Sequence, residues 1–399
     1  MHEIFISYST KDKDLVFQIT KKLEDAGLKI WIAPHDINTG IDYEDSIIEA
    51  IEKTNVFLLF ISKNSLQSED VKSELTLARS EGKQIVPFRL DDSPLKSKFR
   101  YYLSSTQHIS VDKKNLDDSI DKLVHEIKEK LNKEKFLPEM VLAESGSFVT
   151  DSNEEILLTY DFLIGKYEIT FEQYGWYCEI NGISLPNDEH WGRGKRPVIN
   201  VRWWDCIRYC NWLSNLSNLP IAYDQNGYLL DADGKKTDEL AKVQGYRLPT
   251  KAEWEYAAYG GHKRTETAFL YSGSDNLKAV GWYWVNSGDR ELSGYRSERK
   301  ISLNNCRTHE VGEKMPNALG IFDMSGNVWE WCYDNYIENS PLQKENPVII
   351  SDHPEQTEKV EKGGSFSGNP HYAQINYTGK YEANAKRKNL GFRIVKTPE

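Results

Sequence analysis

Through the first 131 residues the apolar positions switch between two periods. Short runs fit strands at Glu3–Tyr8, Leu28–Ile32, Val56–Ile61 and Gln84–Arg89, with a last one near His108–Val111. Between them the apolar residues fall at helical spacing: Leu15, Ile19 and Leu23 within Asp12–Ala26, then Tyr43–Lys53, then Val71, Leu75 and Ala78. Gly27 ends the first of these helices. Alternation of this kind predicts a parallel sheet with helices on both faces. Such sheets bind ligands outside the carboxyl ends of their strands. The residues that reach that edge are Ser7, Tyr8 and Ser9, the loop Ala33–Asp42, and the start of the helix after Ile61. In that helix the position that completes the apolar stripe is Glu74. A carboxylate there costs desolvation energy unless it snorkels to water or serves a cleft.

The pattern changes near residue 139. Of 11 tryptophans only Trp31 comes earlier. Past that point turn residues and aromatics dominate. The amphipathic stretches are Phe171–Ile180, Trp204–Ser214 and a short helix within Tyr246–Ala258. This predicts an irregular α+β domain built on buried tryptophans. An amphipathic helix at Leu116–Leu131 closes the first part, which places a domain at 1–131, a linker at 132–138 and a second domain at 139–399.

Composition narrows the function. The chain has 399 residues, enough for two cores, and a net charge of −11 without basic runs, which argues against phosphate-driven nucleic-acid binding. No apolar run is long enough for a membrane span, and the N-terminus enters a strand pattern directly, so a cytoplasmic location is expected. Five cysteines without framework spacing read as free thiols, and Cys206 and Cys210 as buried helix positions rather than metal ligands. The first domain also lacks glycine-rich phosphate fingerprints.

Phe5-Ile-Ser-Tyr-Ser9, Trp31-Ile-Ala-Pro-His-Asp-Ile-Asn-Thr-Gly40, and Ser62-Lys-Asn-Ser-Leu-Gln-Ser68 with Glu74-Leu75 resemble a bacterial Toll/interleukin-1 receptor (TIR) domain. The resemblance implies a flavodoxin-like α/β fold. It further implies cleavage of the nicotinamide–ribose bond of NAD+ as substrate, Glu74 as the catalytic carboxylate, and a loop 33–42 that covers substrate and mediates self-association between TIR domains. Ser7, Tyr8, Ser9, Trp31, Asp36 and Asp70 are the expected substrate neighbours. The family often has Trp or Cys where this chain has Asp70. One carboxylate suits the reaction, since nicotinamide leaves neutral and the ribose becomes oxocarbenium-like.

Gly165-Lys-Tyr-Glu-Ile-Thr170, Arg247-Leu-Pro-Thr-Lys-Ala-Glu-Trp254, Asn317–Trp331, Lys362-Gly-Gly-Ser-Phe366 and Asn389-Leu-Gly-Phe-Arg-Ile394 resemble a formylglycine-generating-enzyme-like domain, a variant of the C-type-lectin fold. Enzymatic members carry a copper-binding cysteine pair after the Gly-Gly-Ser motif. Here Ser367-Gly-Asn-Pro-His-Tyr-Ala373 stands in that place, so copper and oxidase chemistry are not expected. The resemblance also implies a calcium loop with ligands from Asp323, Gly326, Val328 and Glu330. Between the fixed motifs the tail offers Ser367, Asn369, His371, Tyr372, Gln374, Asn376, Tyr377, Tyr381 and Asn384. That composition suits an adaptable recognition surface for a protein or glycan ligand. The tail also resembles the variable region of proteins diversified by retroelements. The expected protein is a clustering-activated NAD+ hydrolase with a lectin-like sensor, in defence or signalling. The alternative is a non-catalytic TIR adaptor with the same binding module.

Overall fold

The computed structural model describes residues 2–33, 43–95, 97–103, 109–112, 115–150, 153–264, 268–338, 343–350 and 358–398. The chain divides into two compact units, Met1–Lys135 and Phe136–Glu399.

The first unit runs β1 Ile4–Ser7, α1 Lys13–Asp25, β2 Ile30–Ile32, α2 Tyr43–Lys53, β3 Val56–Ile61, α3 Glu69–Ser80, β4 Gln84–Arg89, α4 Ser97–Leu103, β5 Ile109–Ser110 and α5 Leu116–Phe136. Its five strands pair in parallel in the order β2-β1-β3-β4-β5. Both faces of β3 are buried. Val56, Leu58 and Phe60 pack in a cluster with Val16, Ile19 and Leu123, while Phe57, Leu59 and Ile61 pack with Val71, Leu75 and Ala78. A continuous apolar run on a central strand is the consequence of helices covering both faces.

A domain boundary and a short helix depart from the sequence reading. Residues 132–136, expected as linker, continue α5. Asn132-Lys-Glu-Lys135 contains no breaker, and the helix stops only where Pro138 disfavours helical geometry in the residue before it. Helix α4 is absent from the sequence reading, because seven residues are too few for a period to show.

The second unit runs β6 Met140–Ala143, β7 Gly146–Val149, β8 Glu155–Leu158, β9 Phe162–Gly165, α6 Phe171–Ile180, α7 Trp203–Leu216, α8 Lys251–Ala258, α9 Leu277–Val280, α10 Glu298–Leu303, β10 Trp329–Asn335, β11 Glu358–Lys362, β12 Gly379–Glu382, β13 Leu390–Gly391 and β14 Val395–Lys396. Its sheets are β12-β11-β10-β13, β14-β9-β6 and β7-β8. Helices α6 and α8 start in capping boxes, Thr170 with Gln173 and Thr250 with Glu253. Trp203, Trp254 and Trp331 are fully buried, and each indole N–H has a partner: Cys332 O at 2.9 Å, Glu330 Oε2 at 2.7 Å and Val201 O at 3.2 Å.

Three buried ion pairs tie this irregular chain together. Arg393 grips Glu330 through Nε at 2.6 Å and Nη2 at 2.7 Å. Arg247 holds Glu253 at 2.7 and 2.6 Å, and Lys362 reaches Glu255 at 2.7 Å. Lys362 Nζ also donates to Tyr377 O at 2.6 Å, fastening the tail to the scaffold.

Candidate functional sites in the two units

In the first unit the polar side chains gather where the parallel strands end. Ser7 is the last residue of β1 and is buried. Its hydroxyl donates to Glu74 Oε2 at 2.5 Å. Val71, Leu75 and Ala78 turn into the core as expected, and Glu74, on the flank of that stripe, faces the strand end. Ser68 caps α3 by accepting from Val71 N at 3.4 Å. Burial pushes the Glu74 carboxyl up to about 7, the Ser7 bond pulls it down, and the Asp70 charge pushes it up. The result is a carboxyl that changes charge near neutrality, as groups at functional sites often do.

The other expected substrate neighbours fall differently. Tyr8 donates its hydroxyl to Ala33 O at 2.8 Å, holding the start of the loop that follows β2. Ser9 is buried at the turn into α1. Trp31 is only 7% exposed and stacks on Phe5, with ring centroids 4.9 Å apart, in a column that continues to Phe57. Its ring therefore serves the core, which corrects the expectation of Trp31 as a substrate neighbour. Asp70 is exposed and acts on Glu74 through its charge. Asp36 and loop residues 34–42 lie outside the described residues. Sequence reasoning missed a polar knot at the same edge: Asn64 Nδ2 donates to Asp12 Oδ1 at 2.6 Å, and Ser62 donates to the other oxygen of Asp12.

In the second unit the expected calcium loop is only partly free to take an ion. Both Glu330 oxygens are engaged by Arg393 and Trp254, so Glu330 is not a spare ligand, which corrects the reading of it as one. The Val328 N–H donates to Glu168 at 3.3 Å, and Gly326 N donates to Gly363 O at 2.7 Å. Asp323 does fit. Its Oδ2 accepts from Gly312 N at 2.7 Å, while its Oδ1 is buried without a hydrogen-bond partner. Burial raises the Asp323 carboxyl to about 6. Burial, then the charges of Asp323 and Glu330, push Glu168 well above the usual carboxylate range. Among the described residues no group of three or more His, Cys, Asp or Glu side chains is arranged to hold a metal, so an ion here would rest on Asp323 and main-chain oxygens.

All five cysteines are buried free thiols, and burial pushes Cys178 up to about 11 and Cys206, Cys210 and Cys332 higher still. None of these four is a thiolate at neutral pH.

The tail has fixed ends and an open middle. Gly364, at φ +73°, lies so close to the chain that a Cβ would stand 2.9 Å from Ala373 N. Phe366 N donates to Asn327 O at 2.7 Å, and Asn389 Nδ2 to Ser365 Oγ at 3.2 Å. None of the nine expected ligand positions is buried. His371, Tyr372 and Tyr377 form one aromatic cluster, with centroids 5.0 Å apart for both His371–Tyr377 and Tyr372–Tyr377, over Trp329. Ser367, Tyr372 and Tyr377 line a single cavity of about 400 Å³. Tyr381 stacks under Arg387 at that cavity's edge, 4.1 Å from the guanidinium. Gln374 turns to the Tyr271 hydroxyl instead, and Asn384 lines a separate depression with Trp204 and Arg208. Asn369 opens the short helical turn Pro370–Ala373, and Asn376 is exposed. Sequence reasoning missed Arg296 and Trp329, which reach the same cavity from distant segments and left no local signal in the tail.

Each of the two units has relatives. Residues 126–398 match the family described as the sulfatase-modifying factor enzyme 1-like domain, and residues 4–124 match the TIR domain. The chain belongs to the sulfatase-modifying factor enzyme 1-like family and carries an N-terminal TIR domain. Chaperone protein LppX of Paenibacillus barcinonensis is 38% identical over 271 residues, covering 65% of this chain and 89% of that protein. The formylglycine-generating enzyme of Bos taurus is 25% identical over 236 residues, and the match covers 55% of this chain and half of the bovine protein. Among solved structures, Treponema denticola variable protein 1 is 27% identical, covering 65% of this chain and 95% of that one, with a TM-score of 0.49. The TIR domain of the Toll-related receptor TRR-2 from Hydra magnipapillata is 22% identical, covering 32% and 99%, with a TM-score of 0.28.

Proposed function

We propose that the TIR domain hydrolyses NAD+, with Glu74 as the catalytic carboxylate, and that the second unit recognises a ligand whose binding clusters the chains. The observation that carries this reading is the Ser7–Glu74 contact at the carboxyl edge of the sheet, with the Glu74 carboxyl raised to about 7. As the glycosidic C–N bond breaks, its electron pair passes to the pyridinium nitrogen and nicotinamide leaves neutral. The ribose carbon gains positive charge, which ionised Glu74 stabilises. Water then adds to that carbon and loses a proton, giving ADP-ribose. Ser7 fixes the carboxylate and is a positioning residue. Self-association through the TIR domain completes the site, as the family resemblance implies. Calcium, where bound, is a structural ion of the loop at Asp323 and enters no step.

Recognition is assigned to the tail because its nine positions are unburied while its ends are tied together through Asn389 and Ser365. The similarity to a protein named a chaperone supports a protein rather than a small molecule as the ligand. If the tail is retroelement-diversified, the gene lies beside a near-identical template repeat that differs only at adenines, and absence of such a repeat removes that part of the reading.

The test is nicotinamide release from purified full-length protein over a wide concentration range. Specific activity climbs with concentration, and Glu74→Gln abolishes it while the circular dichroism spectrum is unchanged. Full activity in the variant removes Glu74 from the mechanism. NAD+ left intact by the wild-type chain even when clustered leaves the adaptor reading, which the exposed Asp70 beside Glu74 favours.

A further inference from the structure

The cavity beneath Tyr372 and Tyr377 adjoins a second one, and the two are taken together as lobes of one cleft. The second cavity, about 700 Å³, is lined by Trp191, Arg196, Arg307, Lys388 and Glu189 among others, and Ser367 lines both. The lobes also meet at Arg296 and Glu298, which are ion-paired across them, and at the adjacent residues Lys388 and Asn389.

Charge in this cleft is opposite to that of the molecule. The chain carries −11. The two lobes are lined by Arg196, Arg296, Arg307, Lys380, Arg387 and Lys388, against Glu189, Glu298 and Glu361. Arg387 is matched by Glu361 at 2.6 Å and Arg307 by Asp289 at 3.1 Å, but Arg196 and Lys388 have no carboxylate in ion-pair range among the described residues. Arg196 Nη1 donates to Thr308 O. Burial first, and then the charge of Arg307, lower its proton affinity, and the charges of Glu310 and Glu313 offset this only in part. Arg387 Nε is buried without a hydrogen-bond partner, a donor still lacking its acceptor. Both lobes are cationic, and one is in addition floored by Trp329, Tyr372 and Tyr377.

We propose that the joined cleft binds an acidic segment of a protein, seating its carboxylates against Arg196, Arg387 and Lys388 and one of its aromatic side chains over Trp329, Tyr372 and Tyr377. The inference rests on the reading of the second unit as a recognition module and adds the class of ligand. Two observations favour peptide over nucleic acid or sulfated glycan. The basic lining is confined to one cleft on an acidic protein rather than laid out as a track for a phosphate chain. Its other wall is Tyr, Ser and Asn, the composition of protein-recognising loops.

The test is fluorescence anisotropy on the full chain with three labelled probes: a twelve-residue Asp/Glu peptide containing one tryptophan, a single-stranded oligonucleotide, and a heparin fragment. The acidic peptide binds most tightly, and its affinity falls as salt is raised because the cleft is open to solvent. Lys388→Glu, a change at an exposed position, weakens binding by about tenfold or more, as loss of one charge-assisted contact plus repulsion requires. Tyr372→Ala weakens it with little change in salt dependence. Lys235→Glu, remote from the cleft, leaves it unchanged. Tighter, Lys388-dependent binding of oligonucleotide or heparin overturns the peptide assignment and leaves recognition intact. No binding by any probe, or binding indifferent to Lys388→Glu, overturns the inference. Lys388-dependent peptide binding that leaves nicotinamide release unchanged when the peptide is displayed on beads upholds the inference and removes the sensor reading instead.

Discussion

Ser7, the last residue of β1, donates a 2.5 Å hydrogen bond to Glu74 on α3, joining residues 67 positions apart at the carboxyl edge of the sheet. That bond opposes the effect of burial on the Glu74 carboxyl, which sits at about 7. In the proposed NAD+ cleavage the ionised form is the one that stabilises an oxocarbenium-like ribose, so activity is expected to rise as pH climbs through about 7 and to level off above it. Ser7→Ala removes the group that holds the pKa down. The ascending limb of its pH–activity profile moves to higher pH. Activity at pH 7 then falls, approaching about tenfold for each pH unit the limb moves, and recovers in more alkaline buffer. A variant equally impaired at every pH shows that Ser7 acts on something other than Glu74.

The same carboxyl is informative about stability. Because the folded pKa of Glu74 is raised above its unfolded value, ionisation opposes folding. Stability from this group is highest in acid and is lost as pH rises from about 4.5 towards 7. Glu74→Gln, which cannot ionise, therefore flattens that part of the pH–stability curve for the TIR domain, measured by chemical denaturation. An unchanged curve means that the carboxyl is better solvated than its contacts indicate.

The first unit is legible in the sequence because its chemistry and its periodicity coincide. The β3 run Val56–Ile61 and helix boundaries Tyr43–Lys53 follow from the apolar pattern alone, and the same pattern isolates Glu74 as the odd member of a stripe. Trp31 is misread because strand-end aromatics look alike in sequence, whether they face a ligand or stack on Phe5. In the second unit, motifs point to the fold and periodicity adds little. Partners such as Trp254 with Glu330, or Arg393 with Gly165 O, join segments dozens to hundreds of residues apart, and no local pattern encodes such pairings. Composition places the tail on an open surface, but Arg296 and Trp329 are out of its reach for the same reason.

Arg393 and Glu330 make the central crosslink of the second unit, both fully buried, with the guanidinium also donating to the carbonyls of Gly165 and Phe322. Removing one partner strands a buried charge. Glu330→Ala or Arg393→Ala costs about 3–5 kcal/mol, read as loss of the folded lectin-like unit in urea titration. Arg393→Lys cannot reproduce the two-pronged contact and falls between wild type and alanine. If Glu330→Ala unfolds at the wild-type midpoint, the pair is dispensable and the carboxylate's role lies elsewhere.

Beside that pair sits an unbalanced charge. Glu168, Asp323 and Glu330 gather on Arg393, with the Lys314 ammonium also acting on Asp323, and Asp323 Oδ1 lacks a partner. A proton or a cation supplies what is missing. Asp323 is raised from 3.8 to about 6, so in the absence of a cation its contribution to stability is largest in acid, fades as pH rises through about 6, and differs by about 3 kcal/mol between the extremes. The proposed calcium would compete with that proton for the same oxygen, since metal affinity falls wherever its ligand is protonated. Millimolar calcium therefore raises the melting temperature of the full-length protein at pH 7.5, raises it little at pH 5.5, and a chelator reverses the gain. Magnesium, which demands stricter octahedral geometry and gives up its waters reluctantly, has a smaller effect. A melting temperature indifferent to calcium at both pH values assigns the balancing charge to the proton alone, and the loop then holds its shape through Gly312 N and the Arg393–Glu330 pair.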